Sequence, residues 1–263
     1  MKFRLSICVL VAVGLATADE VTDWNQVLIQ ATLTSPITPA PFTPRVTAIV
    51  QAAIFDALNG VDRHYTSIYV HAAAAPGTSK RAAAVQAAYA TLVNIYPAQK
   101  AKFDQQRTAS LAAIGDTDDA IQKGLSWGQN VADQIWVWRS QDGFSNTLAP
   151  YLGGTQPGQW RPTLPAMASG LAPQLATSSS WVMRSPSQFR PAGSPALTSD
   201  QYTADFNEVK NMGVSTNSGR TAEQTLFANF GRSGIRPTTG FRLSSHWPHG
   251  IISPCCKLPA CSL

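Results

Sequence analysis

Residues 45–65, RVTAIVQAAIFDALNGVDRHY, decide the fold class. Within them Val46, Ile49, Val50, Ala53, Ile54, Ala57 and Leu58 recur at i, i+3, i+4, i+7, i+8, i+11 and i+12. That spacing lays an apolar stripe along one side of a 3.6-residue helix. Gln51, Asp56 and Asn59 interrupt it and read as its polar side, and Gly60 reads as its stop, because glycine takes a positive φ at a helix end without a Cβ clash. Ala52, Ala53 and Ala57 are small enough to let a second helix approach closely. The stretch predicts the buried central helix of an all-α bundle and carries no chemistry of its own.

Read outward by the same rules, the chain predicts a bundle of about seven helices. Val21–Leu33 places Trp24, Val27, Leu28 and Ala31 on one face, with Thr22 or Asp23 as cap. The connector Thr34–Pro44 carries Pro36, Pro39, Pro41 and Pro44 and cannot be helical throughout. After a polar turn (Val61–Thr78), Ser79–Tyr96 presents Val85, Ala88, Tyr89, Leu92, Val93 and Tyr96 as a buried face. Pro97 opens a fourth helix to about Ile114, with Phe103, Leu111 and Ile114 inward. Asp116, Asp118 and Asp119 suit the positive end of a fifth helix, which carries Ile121, Leu125, Ala132, Ile135 and Trp136 to about Ser140.

From Gln141 to Pro195 the periodicity vanishes, a stretch too long for a casual connector, and Trp160 and Trp181 are expected to pin it against the bundle. Thr198-x-x-Gln201 and Thr221-x-x-Gln224 are capping boxes for two further helices. The first carries Tyr202, Phe206, Val209 and Met212, the second Leu226, Phe227 and Phe230.

Composition agrees with a globular, exported chain. Of 263 residues 44% are apolar and only 13% charged, against roughly a quarter charged in typical domains. MKFR, an apolar run too short to span a bilayer, and Ala16-Thr17-Ala18 form a secretory signal over residues 1–18. Its removal lowers the formal charge from +5 to about +3. A surplus so small and scattered argues against nucleic acid as a partner, and no membrane partner is expected after cleavage. Secretion or a periplasmic location follows, and a homo-oligomer is an expected assembly. Cys255, Cys256 and Cys261 crowd the last nine residues and form no disulfide framework.

Three runs now matter together: AIVQAAIFDALNGVDRHYTSI (48–68), SQFRPAGSPALTSDQYTADFNEVKNMG (187–213) and RTAEQT (220–225). In order and spacing they resemble the N-terminal half of bacterial vanadium-dependent haloperoxidases, within the type 2 phosphatidic-acid-phosphatase superfamily, over roughly Val21–Phe230. The resemblance implies an all-α, two-bundle enzyme binding a vanadate or phosphate oxyanion. Its ligands would come from Lys-x6-Arg-Pro, Pro-Ser-Gly-His and a final Arg with a downstream His, because such an anion needs several cations and donors about its oxygens.

The sequence departs at that point. Its Arg-Pro pairs begin at Arg161, Arg190 and Arg236, and Gly154, Met183 and Asn229 stand seven residues earlier, where lysine is required. Pro-Ser-Gly-His does not occur. No catalytic, cofactor or metal residue is therefore assigned. Vanadate is expected only in full-length relatives, and a second helical bundle is the expected intramolecular partner.

Other candidates are weighed and set aside. His246 and His249 with Cys255, Cys256 and Cys261 match no common zinc spacing. His64 reads as a helix-end residue and His71 as a turn residue without neighbours. Asp205 and Glu208 read as a solvated face; Trp127, Trp136 and Trp138 as core. Gly153-Gly154 lacks phosphate-loop context.

The domains expected are thus a signal (1–18), a helical domain (19–230) and an irregular tail (231–263), the last read as frame-shifted because the helical pattern dissolves at Gly231. The function expected is a secreted haloperoxidase-like protein, inactive because it stops before its oxyanion site. Phosphomonoester hydrolysis in the same superfamily, and a non-catalytic helical binding module, are the alternatives.

Overall fold

The structure is a computed structural model and describes residues 19–35, 42–216 and 218–234, the last four as backbone. Seven α-helices occupy them: α1 (Glu20–Leu33), α2 (Thr43–Asp62), α3 (Lys80–Ile95), α4 (Lys100–Ala112), α5 (Asp118–Ser140), α6 (Asp200–Gly213) and α7 (Ala222–Gly234). An isolated bridge between Tyr151 and Gly170 is the β-type pairing among the described residues. The all-α class and the long irregular stretch between α5 and α6 are as the sequence predicts. The signal (1–18), Pro36, Pro39 and Pro41, and the tail from Ile235 with Arg236, His246, His249, Cys255, Cys256 and Cys261 lie outside the described residues.

The chain divides into two compact units, Met1–Ser35 with Thr47–Trp136, and Pro36–Val46 with Val137–Leu263. In the first, α3 is the most enclosed helix. Ala82 to Ala88 are buried without a break, followed by Ala90, Thr91 and Leu92. A helix apolar on every side can only lie inside, and alanine lets its neighbours come close. It packs against α1 and α4. Gly124 and Gly128 of α5 approach so closely that a Cβ on either would collide with carbonyl oxygens of Ser79 and Ala83.

The stripe on α2 is buried as predicted from Val46 to Ala57, with Leu58 half-buried, but the polar side and the stop differ. Asp56 is fully buried and Asn59 nearly so; they share a face with Ile49 and Ala53 rather than forming a solvated side. Gly60 does not stop the helix, which runs on to Asp62. The indole of Trp127 fills the space where a Cβ would be, and its Nε1 donates to Ala57 O at 2.8 Å. The turn falls at Arg63, with φ +55°.

Helix ends also shift. Asp19, rather than Thr22 or Asp23, caps α1 by accepting the Thr22 N–H at 2.8 Å. Ser79 caps α3. Pro97–Gln99 form a 3-10 turn before α4, and Ile114 stays buried past its end. Ser199 rather than Thr198 caps α6. The α7 box forms as predicted: Gln224 N donates to Thr221 Oγ1 at 3.1 Å and Thr221 N to Gln224 Oε1 at 2.8 Å. That helix continues through Gly231 to Gly234, beyond the point where the pattern was expected to break. Trp181 packs edge-on against Trp138 of α5 at 5.1 Å, whereas the ring partner of Trp160 is Tyr151, inside the irregular stretch.

Candidate functional site

Two buried side chains of α2 shape the loop that follows it. The Asp56 carboxylate accepts the N–H groups of Ile68, Tyr69 and Val70, each at 2.8 Å. One turn on, Asn59 accepts from Tyr65 N at 2.9 Å through Oδ1. Its Nδ2 donates to Tyr65 O at 2.8 Å and reaches Ser67 Oγ at 3.4 Å. The carbonyls of Asn59 and Gly60 accept from Arg63 N and Ala74 N. Two of the helix's four terminal carbonyls are thus satisfied.

This clamping leaves a small polar cavity of about 70 Å³ lined by Asn59, Arg63, Tyr65, Ser67 and His71 among others. Among the described residues, the Arg63 guanidinium and the His71 ring have no hydrogen-bond or ion-pair partner. Sequence reasoning set His71 aside as isolated and passed over Arg63 and Ser67. The available signal was Asp56, which falls in register with Ile49 and Ala53 and so had to be buried with partners supplied by the next loop.

A second constellation lies within the second unit. Asp142 Oδ2 accepts from Arg45 Nε at 3.0 Å and from Arg139 Nη2 at 2.6 Å, while Oδ1 accepts from Phe144 N at 2.9 Å. Arg139 is 1% exposed. Its guanidinium lies over the rings of Trp138 and Trp181, 4.8 and 4.2 Å from their centroids, and it donates to Ser179 O at 3.0 Å. Burial pulls its pKa down and the Asp142 carboxylate opposes that, but a guanidinium stays charged in any case. Arg45 stacks over Phe144 and donates to Arg139 O at 2.6 Å. Held between indoles, this cluster fixes the start of the irregular stretch, and the buried Nε and Nη1 of Arg139 have no hydrogen-bond partner.

The remaining nominated residues are dispersed. His64 is exposed beside Tyr65. Asp116, Asp118 and Asp119 are exposed at the start of α5, with Asp119 paired to Lys123 at 2.6 Å. Asp205 and Glu208 are exposed on α6, where Asp205 accepts from Gln201. Trp127, Trp136 and Trp138 are half-buried. Gly153 and Gly154 form a tight turn against Trp160, Gly153 at φ +71°. Arg161 and Arg190 are exposed in the irregular stretch. Among the described residues no three His, Cys, Asp or Glu converge as a metal would need.

A vanadate centre of the kind the resemblance implies does not fit these residues. The loop cavity brings one guanidinium and one imidazole and no lysine, and the buried Arg139 and half-buried Arg45 of the second unit share Asp142.

The fold is all-α, with one helix enclosed along most of its length and a clamped loop after α2. Among solved structures it is similar to the crystal structure of a bacterial vanadium-dependent iodoperoxidase, with a TM-score of 0.60 and 20% sequence identity, covering 82% of this chain and 57% of that chain. The likeness is one of fold, and this chain spans little more than half the length of that protein. No family model and no curated protein matches the sequence.

Proposed function

We propose that this chain forms the first helical bundle of a vanadium-haloperoxidase-like architecture and holds no catalytic vanadate centre of its own. The observation that supports this is the fold likeness over 82% of the chain, joined to a sequence without Lys-x6-Arg-Pro or Pro-Ser-Gly-His. Peroxide-driven halide oxidation needs several cations about the oxyanion at once, and the described residues do not assemble them. A second bundle is the partner this reading requires, and export through residues 1–18 is part of it. Among the described residues no helix is long and apolar enough to cross a membrane.

The purified 263-residue chain, given orthovanadate, peroxide and iodide, should oxidise no iodide above a protein-free control. Vanadate-dependent turnover would overturn the reading. Sequencing the DNA from the Thr221 codon and translating all three frames tests the other half of it. A frame that delivers Lys-x6-Arg-Pro and then Pro-Ser-Gly-His supports a haloperoxidase-like protein. Their absence from every frame leaves the non-catalytic binding module.

A further inference from the structure

We propose that the loop after α2 binds a small tetrahedral oxyanion of the phosphate class, with Arg63 and His71 as its cationic contacts and Ser67 Oγ as a hydrogen-bond donor. This rests on the geometry of that loop and not on the haloperoxidase-like reading. Asp56 and Asn59 are buried polar side chains whose hydrogen bonds hold residues 65–70 in one conformation. A loop fixed by buried groups of a rigid helix is a preorganised platform. What it presents is a guanidinium and an imidazole without partners, facing a polar cavity.

The charge balance favours an anion. Asp56 is saturated by three N–H donors, and Asp62 is paired with Lys80; neither lines the cavity. The carbonyls of Asn59 and Gly60 are occupied by Arg63 N and Ala74 N; the helix end still carries its negative partial charge, and the Arg63 guanidinium must hold the anion against it. Ser67 Oγ receives only the long contact from Asn59 Nδ2 and keeps its own hydrogen to donate. The planar fork of an arginine suits paired oxygens, and a cation would meet Arg63 as a repulsion. Size agrees as well. A cavity of about 70 Å³ is roughly five times the space one water needs, close to the five heavy atoms of phosphate.

Calorimetric titration of the full chain with inorganic phosphate at low ionic strength tests this. One saturable site is expected, competed by sulfate and not by chloride. Arg63→Gln should weaken it about tenfold to a hundredfold, and His71→Asn severalfold. Arg63→Gly, which suits the left-handed backbone there, must weaken it as Arg63→Gln does. Arg161→Gln, an exposed arginine of the second unit, should leave it unchanged. Melting temperatures of the variants check that all are folded. Absence of saturable binding overturns the proposal. So does binding that survives both Arg63 variants, or that Arg161→Gln reduces equally, which marks a general ionic effect. A negative iodide-oxidation assay leaves it standing.

Discussion

In the first unit α3 is enclosed along most of its length, whereas α7 of the second holds Leu226, Phe227 and Phe230 largely in solvent. Among the described residues each buried apolar side chain except Val46 belongs to the first unit. Each large exposed apolar side chain except Leu33, Tyr65, Ile68 and Tyr69 belongs to the second. Polar groups show the same division. The first unit buries Asp56 and Asn59 to hold a loop, and the second buries Arg139 and Asp142 with hardly any apolar core around them. One unit has finished burying what its sequence offers; the other carries an apolar surface of the kind that marks contact with something else.

The largest test of that contrast is Asp56→Ala. It leaves the N–H groups of Ile68, Tyr69 and Val70 without their acceptor, at a cost of about 4 kcal/mol once partial rehydration is allowed for. Urea denaturation followed by ellipticity measures it. A loss under about 1 kcal/mol would mean that the loop is not clamped in solution.

A matched pair of glycines comes next. Gly128→Ala drives a methyl into the Ala83 carbonyl and should destabilise by about 2–3 kcal/mol. Gly213→Ala, at the end of α6 with nothing near the added methyl, should be neutral or stabilise by about 0.5 kcal/mol through lost backbone entropy. Equal effects at both sites would erase the difference in packing between the units.

Asp19→Ala removes the cap of α1 and should cost about 1 kcal/mol at neutral pH. The Thr22 backbone N–H, then its side chain, hold the Asp19 carboxyl below its ordinary pKa of 3.8. A depressed folded-state pKa gives stability that is fully present above the unfolded value and fades as pH falls through the folded one. The gap between wild type and Asp19→Ala should therefore narrow only in acid below about pH 4, and a gap constant down to pH 2 would assign the cap to another group.

What could be read from the chain beforehand follows from these same residues. Helices with one-sided stripes, such as α2, announce themselves through period alone, and Thr221-x-x-Gln224 formed the box its letters describe. Gly60 misled because a glycine near a helix end serves equally as a stop or as a gap, and only Trp127 on a distant helix decides between them. Asp56 misled because polarity was read before register. The Arg45–Asp142–Arg139 cluster joins residues up to 97 apart, with no local pattern to betray it. The loop cavity was invisible for a related reason: Arg63, Ser67 and His71 are ordinary surface residues until Asp56 and Asn59 fold the backbone between them.

The smallest expected effect bears most directly on the contrast. Phe227 is 78% exposed on α7, so Phe227→Ser removes little buried area and should change stability by no more than about 0.5 kcal/mol. It should nevertheless lower binding of a hydrophobic dye, because the ring is part of the surface the dye would find. If the substitution instead costs about 2 kcal/mol or more, in the range of a buried aromatic truncation, the α7 face is covered in solution by a second copy or by residues beyond those described. The second unit would then be as finished as the first. Dye binding that falls with stability unmoved keeps the two units distinct and leaves α7 as the face a partner bundle would take.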